Sequence, residues 1–184
     1  MTTNVMTPEQ CFAQMVEQGD VVLDRFDDWV RRQPDKLFID YGEDDVRLTY
    51  AQFARRADAV AAGLSSLGAV AGDRVSVMTR NSLVATLVMF ACWRIGAVYA
   101  PVNFNYKGKL LSYQLNDTQP SVLVVGADCA QAVHEVLGSL VGTRYATAAA
   151  LTAAIKKLDA AVPLAVVREL VKLAAIADPR APRS

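Results

Sequence analysis

The amino-acid sequence predicts an α/β protein built on part of a doubly wound parallel sheet, with a helical C-terminal tail. Three observations lead to this prediction. Between residues 72 and 125, segments typical of strands and helices alternate, an order that favours parallel strands joined by right-handed crossovers. The helix predicted over 82–95 is apolar on nearly every side, which is typical of a helix buried against a sheet. After residue 138 the pattern changes to an alanine-rich amphipathic helix.

Two helices and a hairpin are predicted before the sheet. Residues 7–9 have the Thr-Pro-Glu order of a helix start. A second helix is expected over 22–32, and it must end before Pro34 because the residue before a proline is disfavoured in the helical conformation. Apolar segments at 38–41 and 47–49 flank a polar turn and predict the two strands of a small hairpin.

The clearest helix of the sequence begins after Thr49. Thr49 and Gln52 have the spacing of a capping box, in which each side chain bonds the backbone N–H of the other residue. Gly68 is expected to end this helix in a left-handed conformation. Between these points the apolar residues recur at helical spacing and predict one buried face: Phe53, Ala57, Val60, Leu64 and Leu67.

The alternating region supplies the elements of the predicted sheet. Apolar residues, many of them β-branched, dominate its strands, and Asn81 or Ser82 is expected to cap its first helix. Helices on both faces would cover such a parallel sheet on both sides. The predicted elements are strand 74–79, helix 82–95, strand 98–102, helix 107–115 and strand 121–125.

The apolar run from Leu83 to Phe104 is long enough to suggest a membrane span. Arg94, Gly96 and Pro101 interrupt it, and a charged residue at a helix centre costs about 2.5–3.5 kcal/mol in a bilayer. We therefore expect no membrane span. The run divides at Gly96 into a buried helix and a buried strand of ordinary lengths.

Three short motifs, in this order along the chain, resemble those of one enzyme superfamily. Leu48-Thr49-Tyr50 with Phe53 is similar to a Leu-Thr-Tyr-x-x-Leu/Phe motif, and 72–75 is similar to a Gly-Asp-x-Val strand entry. Together the motifs resemble the adenylate-forming enzymes, which include acyl-CoA synthetases, luciferases and peptide-synthetase adenylation domains, over roughly 24–128. The third motif ends a helix and opens a strand, and its matching residues are Gly96, Ala97, Tyr99, Pro101 and Asn103.

The resemblance implies that residues 1–137 are the N-terminal part of an AMP-dependent synthetase/ligase domain. In the parent reaction ATP adenylates a carboxylic acid and the acyl group passes to CoA, so ATP, Mg²⁺ and CoA are implied for a full-length parent. The chain lacks the family's Ser/Thr/Gly-rich loop ending in Pro-Lys, its Tyr-Gly-x-Thr-Glu and Thr-Gly-Asp blocks and its C-terminal lysine. We therefore expect an incomplete acyl-CoA synthetase-like ligase that is inactive as this chain alone. No cofactor and no catalytic, cofactor-binding or metal-binding residue is assigned to the chain.

Residues 138–184 form a second predicted unit, an alanine-rich amphipathic helical tail of unclear origin. One apolar stripe runs over 151–162, and another follows Pro163. The first stripe consists of Leu151, Ile155, Leu158 and Val162, and the second of Leu164, Val167, Leu170, Val171 and Ala174. The basic residues expected on the solvent-facing sides are Lys156, Lys157, Arg168 and Lys172.

The loop at 103–109 is the best candidate for a binding site, because ligands of open α/β sheets collect beyond the carboxyl ends of strands. By the resemblance it lies near the CoA entrance of relatives, so Lys107 or Lys109 is a candidate contact for a CoA phosphate. The simpler alternative is a solvated helix start. His134, the single histidine, and the acidic cluster 43–45 are more simply explained as structural or solvated residues. The glycines form no dinucleotide-binding or P-loop pattern.

Composition narrows the cellular setting and the class of partner. A formal net charge of zero argues against a broad nucleic-acid surface. Cys11, Cys92 and Cys129 lack the spacing of a metal site, and no secretory signal is apparent, which indicates a reducing cytoplasm. Cys92 lies in an apolar run and is expected to be a small buried residue.

Two alternatives to a ligase fragment remain. A sheet cut from a larger one should expose an edge strand, so self-association or docking through that edge or the amphipathic tail is expected. This would make the chain a non-catalytic interaction or scaffold protein derived from the ligase fold. An independent flavodoxin-like small-molecule binder is a weaker hypothesis, because the strand-end loops lack an obvious phosphate-binding sequence.

Overall fold

The computed structural model describes residues 6–18, 21–42, 45–80 and 82–140. They form a hairpin, a parallel sheet and helices on both faces of that sheet. The helices are α1 Pro8–Glu17, α2 Val22–Arg32, α3 Tyr50–Ser66, α4 Leu83–Arg94, α5 Gly108–Thr118 and α6 Ala130–Val136. The strands are β1 Leu37–Tyr41, β2 Val46–Thr49, β3 Arg74–Met78, β4 Val98–Pro101 and β5 Val122–Val125. Beyond Leu140, the predicted tail lies outside the described residues.

The three parallel strands lie in the order β4-β3-β5, with β3 in the centre. Val75 of β3 lies opposite Tyr99 of β4 and Val122 of β5. Successive residues of β3 face opposite sides, so that Val77 joins a core made with α3 and α4, whereas Met78 joins a core made with α5 and α6. The predicted parallel, doubly wound arrangement is confirmed.

An aromatic cluster joins the hairpin to three helices. Phe26 of α2, Phe38 of β1, Phe53 of α3 and Phe90 of α4 have ring centroids 4.9–6.3 Å apart. These separations are typical of favourable tilted and edge-to-face ring pairs. A two-stranded hairpin is marginally stable alone, so β1 and β2 depend on this cluster and on the buried Val46 and Leu48 of β2.

The predicted start and end of α3 are confirmed by the backbone geometry. Thr49 Oγ1 accepts from the Gln52 N–H at 3.3 Å, and Gln52 Oε1 accepts from the Thr49 N–H at 2.9 Å. Gly68 has φ 88°, and its N–H donates back to the last turn of α3. Thr7 and Gln10 form a second capping box at the start of α1.

The start of β3 is tied to the loop before it and to the end of α5. The Asp73 carboxylate accepts from the Val70 N–H at 3.1 Å. The Arg74 guanidinium donates to the carbonyl of Thr118 and, at 3.4 Å, to that of Gln119. A cation at a helix C-terminus is stabilised by the helix dipole. The strand-entry motif therefore fixes the amino end of β3 against the preceding loop and the end of α5.

Strand β4 contradicts the expectation of a buried strand after Gly96. Val98 is 52% exposed and Pro101 is exposed as well. Among the described residues β4 pairs with β3 alone, so its outer edge has no neighbouring strand. The prediction was wrong because an apolar sequence does not show whether a strand lies inside a sheet or at its edge.

Two helices differ in detail from their predictions. Helix α4 is buried on one side, but Trp93 is 36% exposed, so the helix is not buried all round. Helix α5 continues to Thr118, three residues beyond its predicted end. The Asn116 Nδ2 donates to Ser112 Oγ at 3.3 Å and to the Ser139 carbonyl at 3.1 Å, and these contacts support the extra turn.

Arg94, the charged residue in the apolar run, forms ion pairs with two carboxylates from other helices. Its Nη1 and Nη2 atoms donate to the two oxygens of Asp27 on α2, each at 2.6 Å. Its Nε lies 3.0 Å from an oxygen of Asp58 on α3. Hydrogen bonding to Asp27, offset in part by burial, raises the pKa of Arg94. Of the helices described, none has the length and apolar character needed to cross a membrane.

Replacing Arg94 with glutamine is expected to lower the free energy of unfolding by about 1–2 kcal/mol, because Asp27 loses a charge-assisted bidentate partner. The matched control is Arg47→Gln, which removes the ion pair between Arg47 and Asp40. Both of these side chains are more than half exposed. That change is expected to stay within about 0.5 kcal/mol. Urea denaturation of both variants makes the comparison. Equal losses would show that Arg94 adds nothing beyond a surface ion pair.

Candidate functional site

The carboxyl ends of the three parallel strands meet at one edge of the sheet. Arg80 follows β3, residues 103–105 follow β4 and residues 126–128 follow β5. Helix α4, which continues from β3, packs on one face, whereas α5 and α6, which continue from β4 and β5, pack on the other. In doubly wound sheets such a change of face leaves a crevice in which ligands bind.

An open cleft of about 460 Å³ occupies this crevice between β3 and β4. Its volume lies within the range of about 300–1,000 Å³ typical of small-molecule sites. Asn103 shapes the rim, because its Oδ1 accepts from the Asn105 N–H and its carbonyl accepts from the Tyr106 N–H, both at 3.0 Å. The lining residues are Val77, Thr79, Arg80, Ala85, Tyr99, Pro101, Val102, Asn103, Phe104 and Asn105.

Arg80 is the cation of this cleft and is held on two sides. Its Nε donates to Asp128 Oδ2 at 2.6 Å, and its guanidinium carbon lies 4.9 Å from the centroid of the Phe104 ring. These two contacts orient the guanidinium although the side chain is 69% exposed. In the described part of the chain its terminal nitrogens have no hydrogen-bond partner. Arg80 therefore presents oriented donors to an anionic group.

The end of β5 is packed too closely for a side chain at Gly126. A Cβ atom there would lie 2.8 Å from Thr79 Oγ1 and 2.9 Å from Asp128 Oδ1. The Gly126 N–H donates to the Met78 carbonyl at 2.7 Å, which brings the ends of β3 and β5 together. The glycine thus lets Asp128 approach Arg80.

The ionisable thiol and phenol beside the cleft remain protonated at neutral pH. Burial, followed by the charge of Asp128, raises the pKa of the Cys129 thiol to about 11. Burial raises the pKa of Tyr99. A protonated thiol is a poor nucleophile. The described residues of this site are therefore suited to binding and orienting a ligand.

The structure separates the residues of the predicted loop into two groups. Asn103 lies at the cleft with its two following residues, whereas Lys107 and Lys109 are exposed at the start of α5 and do not line the cleft. His134 is exposed on α6. Asp45 is exposed with φ 52°, and the other two members of its acidic cluster lie outside the described residues. Across the described ranges, no group of His, Cys, Asp and Glu residues could hold a metal ion.

Arg80 and Asp128 were missed by the sequence reasoning. Both follow strands that had been predicted, so the rule that directed attention to the end of β4 applies equally to them. Their pairing could not be read from the sequence, because 48 positions separate them. It depends on β5 lying beside β3.

Comparison with protein families gives a match over most of the chain. The model of a family described as AMP-binding enzyme matches residues 26–180. The matched range includes all three sequence motifs and extends past the boundary predicted at residue 137. Since residues beyond Leu140 lie outside the described part of the chain, that boundary stays a prediction.

Individual relatives are longer than this chain. It is 34% identical over 110 residues to the medium/long-chain-fatty-acid–CoA ligase FadD6 of Mycobacterium tuberculosis, a match that covers 60% of this chain and 18% of FadD6. A putative long-chain-fatty-acid CoA ligase from Rhodopseudomonas palustris matches with a TM-score of 0.62 and 32% identity, over 67% of this chain and 31% of that one. The N-terminal domain of FACL13 from Mycobacterium tuberculosis matches with a TM-score of 0.64 and 25% identity, over 75% and 36%.

Replacing Gly126 with alanine is expected to lower the free energy of unfolding by about 1–3 kcal/mol, because the new methyl group overlaps Thr79 and Asp128. Gly138→Ala is the matched control, since a Cβ atom there meets nothing within 4 Å. Urea denaturation measures both variants. A loss no larger than that of the control would mean that the strand ends adjust freely and do not hold Asp128 in place.

Proposed function

Because this chain belongs to the AMP-binding enzyme family, we propose that it is the N-terminal part of an acyl-CoA synthetase-like ligase. The parent reaction joins a carboxylic acid to AMP from ATP and then transfers the acyl group to CoA. The observation that carries this proposal is the family match over 26–180, which also confirms the resemblance inferred from the motifs. The names of FadD6 and the Rhodopseudomonas palustris protein, both CoA ligases of fatty acids, support a fatty acid as the carboxylic acid.

In the proposed enzyme these residues build one wall of the large domain and do not carry the chemistry. The phosphate loop, the two later sequence blocks and the C-terminal lysine implied by the family resemblance are absent from the sequence. A cradle for ATP phosphates needs clustered backbone N–H groups and a cation, and no segment of this chain has the glycine-rich sequence that would supply them. We infer that the chain alone does not adenylate an acid, and that ATP and Mg²⁺ belong to a complete parent.

The cleft at the carboxyl edge of the sheet is our candidate for a contact with CoA. CoA carries phosphate groups, and Arg80 offers guanidinium donors that no described residue occupies and that Asp128 and Phe104 hold in one orientation. Tyr99 and Asn105 add hydrogen-bonding groups to the same cleft. Arg80 therefore replaces Lys107 and Lys109 as the preferred phosphate contact, because neither lysine lines the cleft.

A second candidate function is a non-catalytic interaction protein that keeps the ligase fold. The outer edge of β4, which pairs with no other described strand, favours it, because an unpaired strand edge can accept a strand from another chain. Val98 and Pro101 are exposed on this edge. A complete ligase binds ATP, whereas an interaction protein does not. For this chain alone the oligomeric state separates the two functions, because docking through the edge of β4 would produce a dimer.

The purified chain is expected to show no saturable binding of Mg²⁺–ATP by isothermal titration, and no pyrophosphate release with a fatty acid. Circular dichroism first establishes that the sample is folded, and size-exclusion chromatography determines its oligomeric state. Full-length FadD6 serves as the positive control. Saturable binding by a folded monomer would contradict the proposal and require a phosphate site of a different kind. A folded dimer that binds no nucleotide would favour the interaction protein.

A chimera tests the role of Arg80. Residues 1–140 of this chain are joined to the part of FadD6 that follows its matching segment. In an active chimera, Arg80→Ala is expected to raise KM for CoA about tenfold, the effect of losing a charge-assisted hydrogen bond. The rate of ATP–pyrophosphate exchange, which measures the adenylation step before CoA binds, is expected to be unchanged.

Arg47→Ala is the matched control of the chimera, since it removes an exposed arginine from the hairpin. An equal change of KM for CoA in both variants, or a loss of exchange activity in the Arg80 variant, would exclude a specific contact between Arg80 and CoA.

A further inference from the structure

Helix α1 carries an apolar face that the described structure leaves uncovered. None of its residues is buried, and Phe12, Met15 and Val16 are 67%, 49% and 48% exposed. With 100° of rotation per residue, these three side chains and Cys11 lie on one side of the helix. Glu9 and Glu17 lie on the flank and on the opposite side. Helix α1 is therefore amphipathic, and no described residue covers its apolar face.

A helix of this length does not persist in water without a partner. Isolated helices shorter than about 12–15 residues are marginal even with good helix formers, and α1 has ten residues. Its capping box satisfies donors at one end but buries no apolar surface. Covering Phe12 and Met15 would supply the missing stabilisation. The family match begins at residue 26, so α1 lies in front of the matched range.

The charge of the N-terminal segment favours a basic partner. The first 24 residues contain Glu9, Glu17, Asp20 and Asp24 and no lysine or arginine. Residues 141–184 have the opposite balance, with basic residues in excess of acidic ones. The segment 151–162 combines an apolar stripe at helical spacing with Lys156 and Lys157. Acidic and basic amphipathic segments of one chain are complementary in both charge and apolar surface.

We propose that the apolar face of α1 is covered by the segment 151–162 of the same chain. The stripe of Leu151, Ile155, Leu158 and Val162 packs on Phe12, Met15 and Val16. A twelve-residue helix is about 18 Å long and α1 about 15 Å, so the two faces match in length. The pair forms a clasp that joins the two ends of the chain.

The connection is long enough for this contact. Ten residues separate Leu140, the last described position, from Leu151. Extended chain covers up to about 3.3–3.6 Å per residue, so this connection reaches about 35 Å. The distance is comparable to the diameter of a domain of this size, whose radius of gyration is about 14 Å.

A second copy of α1 is a poorer partner than the tail. Each α1 helix carries the acidic residues Glu9 and Glu17, so pairing two copies would bring together helices of the same net charge. Helix α1 also has no basic residue to offset them. The tail supplies lysines together with the apolar stripe.

Photo-cross-linking from Cys11 tests the clasp in the full chain. Cys11 is exposed, whereas Cys92 and Cys129 are buried. Burial raises the pKa of Cys92 to about 12 and is the larger cause of the raised pKa of about 11 at Cys129, so a maleimide–benzophenone reagent at pH 7 labels Cys11 selectively. After irradiation, peptide mass spectrometry identifies the attached residues. The expected cross-links fall within 151–162, inside single chains, and their yield does not depend on protein concentration.

Matched variants test both sides of the contact. Phe12→Glu and Ile155→Glu are each expected to reduce the cross-link yield about tenfold, because each removes an apolar anchor. Ala13→Glu and Ala153→Glu introduce the same charge on the opposite faces and are expected to retain the yield. Lys156→Glu combined with Lys157→Glu is expected to lower it about threefold at low salt, with little effect at high salt.

Three results would overturn the proposal. They are cross-links between two chains that increase with protein concentration, cross-links confined to residues 21–140, and the absence of cross-links from a chain labelled at Cys11. Equal yields from Ile155→Glu and Ala153→Glu would also exclude it. Because no residue of α1 is buried, the domain core does not depend on Phe12, and circular dichroism confirms that each variant is folded.

Discussion

The fold depends on four phenylalanine rings that each come from a different element. Phe26, Phe38, Phe53 and Phe90 are in mutual contact, and burying one such side chain contributes about 1.5–3 kcal/mol. Helix α2 and the hairpin add further apolar side chains to the same core, among them Leu23, Val46 and Leu48. The same cluster holds α3 beside α4, and that pair forms the layer covering one face of the sheet. Without the cluster the central strand would lose this cover.

The amino and carboxyl ends of the parallel strands form two edges of the sheet with different roles. At the amino edge, Arg74 caps α5, and Gly96 approaches the preceding loop so closely that a Cβ atom would lie 3.2 Å from that of Ala71. This edge is closed and serves stability. At the carboxyl edge, residues at the ends of β3 and β4 line an open cleft, and Asp128, which follows β5, holds the Arg80 guanidinium of that cleft. Sheet topology thus separates the residues that hold the fold from those available to a ligand.

Sequence-based predictions were correct where the deciding interaction lies within a few residues of the chain. The capping box of Thr49 and Gln52, the left-handed Gly68 and the bounds of α2 needed interactions within a few residues, and all agree with the structure. Errors arose where the deciding contact was distant. The exposure of Val98 depends on which strands pair with β4, and the added turn of α5 depends on a bond from Asn116 to Ser139.

The sequence by itself determined the order of the elements, the parallel sheet and the family, because these follow from periodicity, caps and short motifs. It also directed attention to the end of β4, where Asn103 now lies in the cleft. The tertiary structure alone decided that Arg80 and not Lys107 enters that cleft, and that Asp128 and Phe104 orient it. The physical reason is that a guanidinium is positioned by groups that the sheet brings together from distant parts of the chain.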